Sequence, residues 1–181
     1  NQDGSEIAVI ARGEVFVVDA ASGRTRRLTN TPQHERNVSF RPDGKAVLYA
    51  SERDGRYDAY ETTLDVPGAT SLLAPGALKE TRLTDTKTDI TEPAYSPDGQ
   101  RIAYLEDRTR LVVMDLATKK TVTAMPPGLS YSYQDGDLPF VWSPDGRWLA
   151  ATMGSAVTSF NIALVDASGQ KPPVNLTRSG F

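Results

Sequence analysis

Ser96-Pro97-Asp98-Gly99, with Ala94-Tyr95 before it and Ile102-Ala103-Tyr104-Leu105 after it, is the stretch that decides the fold. The proline presets φ for the first corner of a type I turn, the aspartate accepts hydrogen bonds at the next position, and the glycine takes the left-handed conformation. Strands flank such a turn, and the reading predicts a three-residue hairpin loop. The same turn returns as Arg41-Pro42-Asp43-Gly44 and Ser143-Pro144-Asp145-Gly146, with a remnant at Asp3-Gly4. Repeats at this spacing stack short meander sheets.

Val38-Ser39-Phe40 and Phe140-Val141-Trp142 precede the other two turns, and Ala46-Val47-Leu48-Tyr49 and Trp148-Leu149-Ala150-Ala151 follow them. These runs are short, rich in β-branched and aromatic residues, and bounded by glycine, proline or charge, which marks buried strands. No segment carries a convincing helical stripe. A third strand follows in each unit, at Val15 to Asp19, Tyr57 to Tyr60, Leu111 to Asp115 and Ile162 to Asp166. A fourth is marked by Arg27-Leu28-Thr29, Arg82-Leu83-Thr84 and Asn175-Leu176-Thr177, with Thr121-Val122-Thr123-Ala124 in that place in the third unit. Turn glycines lie 40, 55 and 47 residues apart, and the excess falls at Pro67 to Glu80 and Pro126 to Leu138, which read as loops.

Four strands in about 40 residues make one blade of a β-propeller. The chain is therefore expected to be all-β, a partial β-propeller of four-stranded meander blades, about three complete and one incomplete. Its domain reading is a single propeller fragment, 1–181, with units of about 1–43, 44–98, 99–145 and 146–181. Roughly fifteen strands are expected where four closed blades need sixteen. The unmatched ends point to further blades in a longer parent chain, since closure removes exposed sheet edges.

The 181 residues are 39% hydrophobic and 24% charged, enough for a packed core. A net charge of −3 argues against a nucleic-acid groove. Arg24, Arg26 and Arg27 form the one basic run, read as a solvated strand edge. No stretch approaches the ~18 apolar residues of a membrane span. Absence of cysteine excludes disulfides, thiolate catalysis and cysteine-ligated metal within the chain.

Candidate chemistry is sparse. The one histidine, His34, would have to meet an aligned serine and acid to make a triad, and it reads instead as a loop residue. Asp135-Gly136-Asp137 lacks the alternating ligand series of a calcium loop and reads as an acidic turn. Asp43, Asp98 and Asp145 are explained by hairpin chemistry. No catalytic residue, metal site or cofactor is assigned. Binding is expected on the fourth-to-first and second-to-third connections, which share one face of the meander. Those loops include Gln33 to Asn37, Ser51 to Tyr57 and the aromatic Tyr131 to Asp135. Candidate peptide or partner contacts are Arg36, Glu52, Arg53, Tyr131, Tyr133 and Asp135. Arginine forks suit carboxylates, and tyrosines beside charge suit protein contacts.

The Ser-Pro-Asp-Gly turn, the Ile-Ala-Tyr-like second strand and the Arg-Leu-Thr fourth strand resemble the TolB-type propeller repeat over essentially the whole chain. Ala11-Arg12-Gly13-Glu14-Val15-Phe16, Leu28 to Pro32 running to Glu35-Arg36, Tyr49 to Arg53, and Asn175-Leu176-Thr177 resemble the amino-terminal propeller of tricorn-like serine peptidases. That resemblance implies a propeller that gates or guides peptides. Catalysis would then belong to a separate carboxy-terminal region of the parent chain with a PDZ-like module, and this chain alone would be inactive. It implies peptide or protein partners, and favours the periplasm over the cytoplasm. Two alternatives stay open: a TolB-like protein-interaction propeller, and the propeller lid of a prolyl-oligopeptidase-like hydrolase.

Overall fold

The computed structural model describes residues 1–128, 140–154 and 160–177, and among them are fifteen strands and no helix. The first sheet comprises β1 (Glu6–Ala11), β2 (Glu14–Asp19) and β3 (Thr25–Arg27). The second has β4 (Glu35–Phe40), β5 (Ala46–Arg53), β6 (Arg56–Leu64) and β7 (Leu78–Arg82). The third has β8 (Ile90–Tyr95), β9 (Arg101–Glu106), β10 (Arg110–Asp115) and β11 (Thr121–Met125). The fourth has β12 (Phe140–Trp142), β13 (Trp148–Gly154), β14 (Phe160–Asp166) and β15 (Val174–Asn175). Strands neighbour one another in chain order throughout, so each sheet is a meander and the chain is a partial β-propeller.

The repeated turn behaves as its residues dictate, with one difference. Gly44 N–H donates to Arg41 O at 2.8 Å, Lys45 N–H to Asp43 Oδ1 at 3.0 Å, and Gly44 has φ 73°. The hairpin closes on Arg41 N–H to Ala46 O at 2.9 Å, so its loop has four residues rather than three. The aspartate reaches past the glycine to the next amide, and that contact accommodates the extra residue. The other two copies repeat the pattern, with Gln100 N–H on Asp98 and Arg147 N–H on Asp145, each at 3.0 Å. In these two the leading serine adds its hydroxyl to the same carboxylate.

Arg-Leu-Thr lies at the end of the fourth strand and beyond it, not in its body. Leu28 N–H still bonds Val15 O, Leu83 N–H bonds Ala59 O and Leu176 N–H bonds Ile162 O, all at 2.8 Å. The threonine then turns its hydroxyl back onto the third strand. Thr29 Oγ1 accepts from Val15 N–H at 2.9 Å, Thr84 Oγ1 from Ala59 N–H at 2.9 Å, and Thr177 Oγ1 from Ile162 N–H at 2.7 Å. In the first two sheets the hydroxyl proton goes to an acid on the third strand, Glu14 Oε2 at 2.6 Å or Asp58 Oδ1 at 2.8 Å. The arginine completes the clip, Arg27 on Glu14 and Arg82 on Asp58.

Contacts divide the chain into two compact units, 1–95 and 96–181, the boundary falling in the turn after β8. In the first, Val15, Val17 and Leu28 pack with Val47, Tyr49 and Tyr60. Leu72 and Leu73 join that core, so the excess of the second repeat is not only a surface loop: it contributes buried leucines. Arg26 pins it by donating to Leu72 O at 2.9 Å, to Ala74 O, and to Gly76 O at 2.6 Å. The basic run is therefore more than a solvated edge, because carbonyls stranded in an irregular segment need donors. In the second unit Ile102, Leu105, Leu111, Met125, Leu149 and Val165 are buried. Gly169, at φ 67°, passes so close to β11 that a Cβ would sit 2.9 Å from Thr123 O. Among the described residues no helix is long and apolar enough to cross a membrane.

Candidate functional site

Two tight hairpins carry the predicted contact face in the first unit. Arg12-Gly13 (φ 54° and 79°) and Asp54-Gly55 (φ 56° and 77°) have the two positive φ angles of a type I′ turn, which matches strand twist. Most of Ser51 to Tyr57 is consequently strand, and Glu52 and Arg53 point to opposite sides of β5. Arg36 pairs in register with Ala50, and Glu52 with Tyr57, which places all three polar side chains on one face. The Arg36 guanidinium lies 5.0 Å from the Tyr57 ring centroid, and Tyr57 O–H donates to Glu52 Oε2 at 3.4 Å. Asn37, at φ 56°, makes the bulge that shifts the β4 register after Arg36.

Arg53 faces the other way and is already a carboxylate receptor. Its fork closes on Glu80, with Nη2 to Oε2 at 2.8 Å, its Nε donates to Ser51 Oγ at 3.1 Å, and its plane lies 4.2 Å from the Tyr60 centroid. Burial pushes the Glu80 carboxyl up, but bonds from Arg53 and from the Tyr49 hydroxyl outweigh it and hold the carboxyl below the usual range. Arg36 and Glu52 are thus brought together, and Arg53 is separated from them. Tyr131, Tyr133 and Asp135, with the Asp135-Gly136-Asp137 turn, lie outside the described residues.

Behind the hairpins sit three acids that sequence reasoning missed. Asp58 is 1% exposed and accepts from Thr84 O–H, Thr86 N–H and Arg82. Glu14 accepts from Thr29, Arg27 and Thr31; burial raises its pKa, but those bonds carry it below the ordinary value. Glu35 is buried, with Oε1 held by Thr31 O–H at 2.9 Å and Ser51 O–H at 3.0 Å, and here burial prevails and raises the pKa. The one signal in the sequence is the acid ahead of the third strand's apolar run, and it varies in type, glutamate in one repeat and aspartate in the next. His34 is exposed and packs on Gly13, where a Cβ would fall 2.9 Å from its Nδ1. Among the described residues no three metal-ligating side chains cluster.

A separate cavity of about 200 Å³ opens beside the first Pro-Asp-Gly turn, lined by Arg41, Lys45, Leu64, Val66, Ser71 and Leu72 among others. Arg41 is held there by Asp43 at 2.9 Å and Glu61 at 3.2 Å.

No family model matches the chain. It is 40% identical over 86 residues to the Tol-Pal system protein TolB of Thiobacillus denitrificans, covering 48% of this chain and 17% of that protein. It is 30% identical over 147 residues to tricorn protease homolog 1 of Streptomyces coelicolor, covering 79% of this chain and 13% of that protein. The chain therefore spans less than a fifth of either relative. Among solved structures, TolB from Acinetobacter baumannii superposes with a TM-score of 0.72 at 20% identity, over 99% of this chain and 42% of that one. The tricorn protease superposes with a TM-score of 0.65 at 19% identity, over 96% of this chain and 16% of that one. By sequence and by fold the chain is a TolB-type β-propeller, homologous to TolB and to the tricorn protease homolog.

Proposed function

We propose that the chain is a non-catalytic propeller segment that guides peptides, or mediates protein contacts, within a tricorn-like serine peptidase. The observation that carries this reading is the relation to tricorn protease homolog 1, which runs over 147 residues and so through most of the repeats. Arg36, Glu52 and Tyr57 form the contact patch for an extended chain, with Tyr131, Tyr133 and Asp135 as further contacts. A cation, an anion and an aromatic ring on one rigid sheet suit polypeptide recognition without demanding one sequence. Arg53 has a supporting role, since its fork is committed to Glu80.

Further blades of the parent chain are the proposed neighbours of the fourth sheet. Val141, Ile162 and Val174 are 52%, 41% and 54% exposed, and the register puts them on one face of it. A second reading, a TolB-like interaction propeller, is favoured by the higher identity to TolB over a shorter span. Reading the coding sequence on both sides of this segment separates the two. A downstream PDZ-like module with a serine peptidase region fits the first; an end soon after the propeller fits the second and overturns the first. The purified chain alone is expected to hydrolyse no peptide, and turnover of labelled casein by it would contradict its non-catalytic role.

A further inference from the structure

Glu35 opens β4 at the place where the next repeat puts an aliphatic residue. It stands seven residues after Leu28, as Ile90 stands seven after Leu83 to open β8. Both are buried, Ile90 at 0% and Glu35 at 2% exposure. Apolar packing would serve at this position, yet it holds a carboxyl group. Oε1 has its two hydroxyl donors, whereas Oε2 is buried with no hydrogen-bond partner. The cation at hand is Arg53, whose Nη2 stands 3.9 Å from Oε1 and whose fork is closed on Glu80.

The other charged groups around it do not supply a counterion. Glu14 comes from β2 and is paired with Arg27 of β3, and its negative charge still faces Glu35. Asp58 of β6, opposite Ser51 in register, is taken by Arg82 of β7. His34 adjoins on the same segment and is exposed. A buried carboxylate without a close ion pair is costly, whereas a neutral carboxyl is tolerated. A backbone bond ties the first sheet to the second here, Glu35 N–H donating to Gly13 O at 3.0 Å, and next to it, within the second sheet, Glu52 N–H donates to His34 O at 3.0 Å.

We propose that Glu35 is a proton-operated latch: carrying its proton it closes the seam between the first two sheets, and ionised it loosens that seam. Burial first, and the nearby Glu14 charge, raise its pKa against the two hydroxyl bonds and the Arg53 charge, which lower it. The sign follows. The native state holds this proton more tightly than the unfolded chain does, so the stabilisation is fully present below the ordinary glutamate value of 4.5 and is lost as pH rises through the raised native value.

The test is amide hydrogen exchange of Glu35 and Glu52 between pH 5 and 8, corrected for intrinsic base catalysis, in wild type and Glu35→Gln. Wild type is expected to lose protection as pH rises, by up to about tenfold per pH unit within the window, while the variant stays flat. Equal pH dependence in both proteins would overturn the latch. Should the glutamine variant not fold, Glu35→Ile, which installs the neighbouring repeat's residue, takes its place. The carboxyl carbon of Glu35 in wild type must also titrate with a midpoint above 4.5, and a midpoint at or below that value would overturn the proposal as well.

Discussion

The second and third sheets have the same meander topology and hold their third and fourth strands together by opposite means. In the second, Asp58 binds Thr84, Thr86 and Arg82, so a buried carboxylate gathers the end of β7 onto β6. In the third, Leu111 faces Met125 in register, and both are fully buried. The turn and the ladder set the backbone in each case, and the side chains at the strand end are interchangeable in shape but not in response. An ionic clip fails abruptly when one partner is removed, because the others are left buried and unsatisfied. An apolar one weakens with the volume removed.

The largest expected effect breaks the ionic side. Asp58→Ala should cost about 3–5 kcal/mol in urea unfolding, since it strands the Thr84 hydroxyl and the Thr86 amide and leaves Arg82 without its buried partner. Leu111→Ala should cost about 2–5 kcal/mol from the cavity, and its cost should be the same at pH 5 and pH 7. Thr84→Val keeps the shape and removes the acceptor for Ala59 N–H, for an expected loss of about 1–3 kcal/mol.

Much of the fold is legible before any coordinates. The Pro-Asp-Gly turns announce their hairpins because proline, aspartate and glycine each do a separate conformational task there. Asp19, Asp115 and Asp166, read as strand ends, do end their strands, and their carboxylates accept the amide bonds of the following turns. The clip was only half legible. Arg-Leu-Thr is a visible string, but its acid partner lies 13 to 26 residues earlier and varies in type, so linear spacing cannot pair them. Leu72 and Leu73 were hidden for a related reason, because glycine and proline around them signal a loop and only tertiary packing draws two leucines inward. At the candidate site the sequence grouped Glu52 with Arg53, although adjacent strand residues point apart.

Acid sharpens the comparison further. Asp98 is held low by the Ser96 hydroxyl first and the Gln100 amide next, so its stabilisation is present above the ordinary value of 3.8 and is lost as pH falls through the native one. Asp98→Asn should flatten the acid limb of a stability–pH curve below about pH 4, with the opposite sign to the Glu35 effect. The smallest effect on folding belongs to the contact patch: Arg36→Ala should cost less than any of the substitutions above, because the side chain is only half-buried, on a partly solvated face.

That small cost makes the patch suitable for a direct test of peptide guidance. A fluorescein-labelled, unfolded casein is titrated with the wild-type chain and with an Arg36→Ala/Tyr57→Ala double variant, and anisotropy is followed. The account predicts saturable binding to wild type, weakened about tenfold or more in the variant, equivalent to 1.4 kcal/mol or more. No saturable binding to wild type, or equal binding by both proteins, would contradict it.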